Sequence, residues 1–282
     1  MDKMSRYKNT GLLSLTVIAL ILLLITLPVA NSVAKDKYSI AVIIGNTKYQ
    51  SHISSVDFAG NDADAFKKFV IDVLRYDPEN IIDLRDATKA QMETAFGNDR
   101  SHEGRLWRYL DPKGRSDVLV FYSGHGVPGL KDRRGYLLPV DADPEVPEIN
   151  GYPLETLFRN LARLEARSIT VFLDACFSGQ SQKGSLVQSA SGLMITPKMP
   201  KKSISRMSVI TASRGDQIAS WDEKARHGLF TRHLLDALYG EADKEDYGNG
   251  DSKVTLAEVR EYLDDKMTRA ARRTYGRHQN AW

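Results

Sequence analysis

Along the chain, unbroken apolar runs alternate with segments in which apolar positions return every three or four residues. "KYSIAVIIGNTKY" has no polar face, the pattern of a strand buried on both sides. "NDADAFKKFVIDVLRY" places Phe66, Phe69, Val70, Val73 and Leu74 on one side of a helix, with Asn61 positioned to cap it and acids in the first turn. A strand at "NIIDLRD" and a helix at "TKAQMETAF" follow, Thr88 and Gln91 having capping-box spacing. "DVLVFYSGHG" is a third strand, a helix covers 153 to 165, and "SITVFLDACFSG" and "MSVITASRGD" are further strands. "GLFTRHLLDALYG" and "TLAEVREYLDDKMTRAARR" are helices. Apolar strands separated by amphipathic helices predict an α/β fold in one domain, with a mostly parallel central sheet and helices on both faces.

The N-terminal segment breaks this rhythm. Lys3, Arg6 and Lys8 precede "LLSLTVIALILLLITL", and Ser32 and Ala34 follow at cleavage-type spacing. That order is the order of a secretory signal peptide, so residues 1–34 are read as a signal peptide or, if retained, as an N-terminal membrane anchor. In both cases the leading positive charges send the remainder across the membrane. The net charge of +3 shrinks further without the basic leader, and no nucleic-acid partner is indicated. No N-x-S/T acceptor occurs, which favours a bacterial chain and a periplasmic or secreted location, the alternative being a membrane-anchored domain on the extracytoplasmic side.

The chain has one cysteine, so no internal disulfide can form and the thiol is either core filler or a nucleophile. Cys176 follows "FLDA" and His125 follows "FYSG", each just past an apolar strand at a small, glycine-bearing turn. In an open parallel sheet ligands bind beyond the carboxyl ends of the strands, so the two side chains reach one rim if their strands are neighbours. A histidine within reach of a thiol can take its proton and return it to a leaving amine. The backbone N–H groups of Gly126 and Cys176 are placed to face a developing oxyanion. His52, His102, His227, His233 and His278 form no zinc-binding spacing, and there is no G-x-S-x-G elbow.

"YSGHG", "DACFSG", "AVIIGNTKY" and "VITASRGDQIASWDEKARHGLFTRHLLDAL" together resemble the caspase-like cysteine peptidases, closest to bacterial metacaspase-like (orthocaspase-type) members. The resemblance covers most of residues 37 to 265. It implies a caspase-type α/β sandwich over residues 35–282, divided into a large-subunit-like part (35–180), a linker (181–206) and a small-subunit-like part (207–282). It also implies an endopeptidase with a His125 and Cys176 dyad and protein or peptide substrates. Asp62, Ser123 and Asp174 match the pocket that metacaspase-like members use for arginine or lysine at P1. The residue after the Ser-Trp pair is Asp222, where aspartate-specific caspases carry an arginine. Carboxylates suit a guanidinium and repel an acid, so P1 arginine, then lysine, is expected.

The chain also departs from the family. Phe177 stands where metacaspases usually carry histidine, and Ala59 and Gly60 replace a common glycine-cysteine pair. No cofactor is required by the expected chemistry. The family's calcium-binding acidic cluster has no clear counterpart, although Asp141, Asp143 and Glu145 share a loop, and calcium dependence stays open. "YGNGDSKVTLAE" imitates a calcium loop, but Tyr247 and Ser252 occupy positions that need aspartate and glycine, and Thr255 with Glu258 explains the motif as a capping box. Lys198, Lys201, Lys202 and Arg206 are expected self-cleavage points if the linker is cut. The C-terminal arginines Arg269, Arg272, Arg273 and Arg277 read as a solvated face. The competing reading is a catalytically silent caspase-like scaffold or peptide-binding protein.

Overall fold

The computed structural model describes residues 36–50, 53–186, 206–214 and 217–282. The leader 1–34 and the linker residues Lys198, Lys201 and Lys202 lie outside them.

The first apolar run forms β1 (Ile40–Gly45), buried throughout. Helix α1 (Ala59–Asp72) follows, and then β2 (Ile81–Arg85), α2 (Lys89–Phe96) and the short α3 (Arg105–Tyr109). Next come β3 (Asp117–Ser123), β4 (Gly126–Pro128), β5 (Gly135–Leu137), α4 (Pro147–Asn150), β6 (Tyr152–Pro153), α5 (Leu154–Ala162) and β7 (Ser168–Asp174). A hairpin of β8 (Gln180–Ser181) and β9 (Gly184–Ser185) leaves the cysteine turn, occupying the start of the segment expected as a linker. After β10 (Met207–Thr211), the hairpin of β11 (Trp221–Asp222) and β12 (His227–Gly228) leads into α6 (Leu229–Leu238). The closing helical stretch is α7 (Leu256–Tyr262), a π-helical turn at Leu263–Met267 and α8 (Thr268–Tyr275).

Five strands form one sheet in the order β10-β7-β3-β1-β2, and every pairing in it is parallel. The apolar strands bury both faces, as their lack of a polar side requires. On one face Val42, Ile44, Val120, Val171 and Leu173 pack with Met92, Phe96, Leu157 and Leu161 from α2 and α5. On the other, Ile43, Phe121 and Phe172 meet Phe66, Phe69 and Val70 of α1, Phe230 and Leu234 of α6, and Val259 of α7. Phe66 stacks on Phe121 at 4.3 Å and meets Phe172 edge-on at 5.8 Å. Each such side chain contributes about 1.5–3 kcal/mol by leaving water, which holds the sheet rigid beneath its carboxyl edge.

Both capping boxes form, Thr88 with Gln91 and Thr255 with Glu258. Asn61, however, does not cap α1. The N-cap is Phe58, and the Asn61 amide donates to the Arg226 carbonyl across the molecule. Nor do Val73 and Leu74 join the buried face, because α1 ends at Asp72 and the chain turns through Arg75 at a positive φ. The stretch 247–258 ends in the Thr255 cap, and no metal-ready group of three or more His, Cys, Asp or Glu occurs among the described residues.

Candidate active site

Strands β3 and β7 are neighbours, with Ser123 directly opposite Asp174 in the register. The Gly124 N–H donates to the Asp174 carbonyl at 3.1 Å, so the two turns leave the sheet side by side. His125 lies two residues beyond Ser123, and Cys176 two beyond Asp174. All four line one cavity with Asp62, Ala219, Trp221 and Gly228. The cavity is narrow, about 30 Å³, and a side chain at Gly126 would press on the cysteine turn beside it: a Cβ there would stand 2.6 Å from the Cys176 carbonyl oxygen and 2.6 Å from the Phe177 ring. Phe177 is therefore a packing residue, buried in the core under the histidine turn.

His125 is buried and held on three sides. Its Nε2 lies 2.7 Å from the Ser54 carbonyl oxygen, which only accepts, so Nε2 carries the proton and Nδ1 is left as the basic nitrogen. The His125 backbone N–H donates to the Tyr49 hydroxyl at 2.7 Å, and the Tyr49 ring lies against the imidazole at 4.7 Å. Burial pushes the imidazole down to about 4, so it rests neutral. The Cys176 thiol is pushed up to about 12, chiefly by burial, so it rests protonated. The expected hydrogen bond between the two is not formed. Cys176 Sγ instead accepts from the Ala219 N–H, on the side of the cavity leading to Trp221. The same sulfur lies 3.9 Å from the Ala219 carbonyl oxygen, to which its S–H can donate, so both of its contacts are with the Ala219 backbone rather than with the imidazole.

The carboxylates sit deeper. Asp62, in the first turn of α1, is 1% exposed and accepts from Ser123 Oγ at 2.9 Å, from the Gly228 N–H at 3.0 Å and from His227 Nδ1 at 2.9 Å. Asp174 accepts through Oδ2 from Thr231 Oγ1 at 2.6 Å and the Thr231 N–H at 3.2 Å. Burial raises both acids. For Asp174 the Asp62 charge raises it further and Thr231 opposes, whereas His227 and Ser123 pull Asp62 back. Gly228 makes the crowding possible, since a Cβ there would lie 2.1 Å from Asp174 Oδ2. Asp222 does not line this cavity. Its carboxylate is taken by Arg232 and by the Ala225 N–H at the turn of the β11–β12 hairpin.

Sequence reasoning missed Ser54, Tyr49, His227 and Thr231. Ser54 acts through its backbone, which no side-chain pattern reveals, and His227 lies in a charged stretch far along the chain from Asp62. Lys183 was also unanticipated. From the β8–β9 hairpin it bonds Asp57 at 2.6 Å and Ser55 Oγ at 2.8 Å, latching the hairpin to the segment that orients His125.

Comparison with solved structures bears on the fold. The fold is similar to caspase-1 from Spodoptera frugiperda, with a TM-score of 0.52 at 13% identity, covering 88% of this chain and 86% of that one. It is similar also to a protein from Geobacter sulfurreducens, with a TM-score of 0.55 at 17% identity, covering 87% of this chain and 92% of that one. No curated protein matches the chain. The family model of the caspase domain matches residues 38–282, and with the parallel sheet and the two turns at its carboxyl edge in view, the chain belongs to the caspase-domain family of cysteine peptidases.

Proposed function

We propose that this protein is an exported cysteine endopeptidase that cleaves peptide bonds after arginine, then lysine, with His125 and Cys176 as its dyad. The observation that carries the reading is the cavity itself, where a thiol and an imidazole share walls with two buried carboxylates, Asp62 and Asp174. The two buried acids repel each other, Asp62 being balanced only by the partly exposed His227, and a site that keeps them is suited to a substrate cation. A P1 guanidinium can take paired charge-assisted bonds there, whereas an acidic side chain is repelled.

The dyad starts as thiol and neutral imidazole. On substrate binding the thiol leaves the Ala219 N–H and gives its proton to His125 Nδ1, with Ser54 holding the tautomer that makes Nδ1 the acceptor. Sulfur attacks the P1 carbonyl carbon, and the charge that develops on oxygen meets the N–H groups of Gly126 and Cys176. The imidazolium then donates its proton to the leaving amine, and water hydrolyses the acyl-enzyme with the same histidine as base. No cofactor enters these steps. The leader 1–34 gives the domain a periplasmic, secreted or outer-face address.

A matched peptide series with Arg, Lys, Asp or Ala at P1, run with and without calcium beside Cys176→Ala, tests the reading. Cysteine-dependent cleavage after Arg and Lys is the expected result. Cleavage after Asp would overturn the pocket assignment. The thiol's seat on Ala219, away from His125, favours a silent scaffold, and absence of cleavage in every arm would point to that reading or to an unmet activation step.

A further inference from the structure

The acidic pocket already holds a cation-forming side chain. Of the three donors on Asp62, Ser123 Oγ and the Gly228 N–H are neutral, and His227 can carry charge. The pair is lopsided, the Asp62 side chain being 2% exposed and that of His227 25%, so the imidazole is the partner that reaches solvent. His227 belongs to the β11–β12 hairpin, whose turn passes through Arg226 at φ 60°. The charged groups around it are Asp62 from α1, Asp174 from the end of β7, Asp222 opposite it in the hairpin, and Asp236 from α6, with Arg232 of α6 shared between Asp222 and Asp236. Acids outnumber bases on every side. The hydrogen bond to Asp62 accordingly raises the imidazole above its ordinary value, and partial burial opposes.

Asp62 has no free oxygen for a further donor. Oδ1 accepts from His227 Nδ1 and the Gly228 N–H, and Oδ2 from Ser123 Oγ and, at 3.2 Å, the same Gly228 N–H. Something must yield, and the elements around Asp62 are not equally free to do so. Ser123 ends a central strand and the Gly228 donor is a backbone N–H at the start of α6, whereas His227 reaches Asp62 through a partly exposed side chain that can rotate.

We propose that His227 is a specificity-determining residue: its imidazolium is the resident counter-ion of Asp62, and the basic P1 side chain must displace it to bind. The inference rests on the basic-P1 reading above and adds a competition to it. Protonated, His227 neutralises one of the two pocket carboxylates; neutral, it leaves both for the substrate. Competition is complete below the ordinary histidine value near 6.5 and lifts as pH rises through the raised value of His227. The effect falls on KM for P1-Arg and P1-Lys peptides. By linkage, substrate must lower the affinity of His227 for its proton by the same factor that protonation weakens substrate binding.

The decisive comparison is KM against pH for a P1-Arg peptide in wild type and in His227→Asn, whose amide keeps a neutral donor near the Nδ1 position. Asp174 also titrates on the acid side, so the difference between the two profiles, not the wild-type curve, is the readout. The expected result is a rise of about tenfold in wild-type KM as pH falls to 6, absent or much reduced in His227→Asn, the size of one opposite-charge contact. Parallel profiles would overturn the competition while leaving arginine cleavage intact. Cleavage only after a non-basic residue would overturn the pocket reading and this inference with it. If the variant does not fold, NMR titration of the His227 ring in Cys176→Ala protein decides the matter. Saturating P1-Arg peptide should move its midpoint to lower pH, and an unmoved midpoint would refute the displacement.

Discussion

Substituting Gly126 by alanine separates geometry from chemistry, because the residue contributes no side chain to either. A Cβ at this position would lie 2.6 Å from the Cys176 carbonyl oxygen and 2.6 and 2.7 Å from Cε1 and Cδ1 of Phe177. Ordinary carbon contacts begin at about 3.5 Å, so each neighbour must retreat by roughly 0.9 Å. Neither retreats easily. The carbonyl hangs from the end of β7, a central strand, and the ring is 2% exposed in the core. Overpacking of this kind costs about 1–3 kcal/mol of stability. A displacement near 1 Å at a reacting group lowers rate by about 100-fold. The assay is kcat/KM on a P1-Arg peptide together with the alkylation rate of Cys176 and thermal unfolding. Trimming the ring with Phe177→Leu in the double variant should restore part of the stability but little of the activity, since the carbonyl clash remains. Gly60→Ala, where the nearest atom is Thr47 Oγ1 at 3.3 Å, is the control and should stay within about threefold of wild type. A folded Gly126→Ala protein with wild-type kcat/KM and alkylation would falsify the claim that this glycine sets the position of Cys176.

Three further outcomes follow from the same geometry. Asp174→Asn should abolish cleavage after Arg while stabilising the fold by about 1 kcal/mol at pH 8, as removal of a repelled functional charge commonly does. Because burial raises the Asp174 value in the folded state, its ionisation destabilises the fold as pH rises through that raised value and has no effect below the ordinary 3.8. The gain should therefore be present in melts at pH 8 and vanish in melts below pH 4. Thr231→Val removes the shorter of the two bonds on Asp174 Oδ2, and should destabilise by about 1–3 kcal/mol and raise KM for P1-Arg; an unchanged KM would show that Thr231 does not position the carboxylate. With the thiol at about 12 and the imidazole at about 4, alkylation of Cys176 in the free protein should climb steadily past pH 9, and a plateau near pH 7 would mean a resting ion pair instead.

What the chain discloses on its own is what local pattern encodes. The central strands are legible because burial on both faces removes every polar position, as in β1, and the two capping boxes are legible because donor and acceptor lie three residues apart. His125 and Cys176 stand out in the sequence as reactive residues at turns that follow apolar runs, whereas Asp62, Ser123 and Asp174 are marked by the resemblance to the caspase-like peptidases, and all five line one cavity. The remainder depends on partners remote in sequence. Asn61 reads as a cap until the Arg226 carbonyl claims its amide, and Asp222 reads as a pocket acid until Arg232 claims its carboxylate. The two- and three-residue strands β4, β5 and β6 are too short to show a period.

The likeness between "SGHG" and "DACF" has a physical explanation in the register. Ser123 and Asp174 are paired across β3 and β7, and the reactive side chain follows each at the same interval. One parallel pairing thus fixes four positions: Ser123 and Asp174 at the strand ends, and His125 and Cys176 two residues beyond them. A slip of one residue between β3 and β7 would invert every side chain on one strand, carrying the acid and the thiol away together. The buried contacts of Val118, Val120 and Tyr122 with Ile169, Val171 and Leu173 in one core prevent that slip. On the proposed function, recognition and reaction share a single structural determinant, and β7 substitutions that loosen the register, such as Val171→Asp, should speed Cys176 alkylation near pH 8, as the thiol loses the burial that raises it, and lose P1 selectivity in parallel rather than one before the other. Loss of selectivity with alkylation unchanged would show that the pocket and the nucleophile are positioned independently.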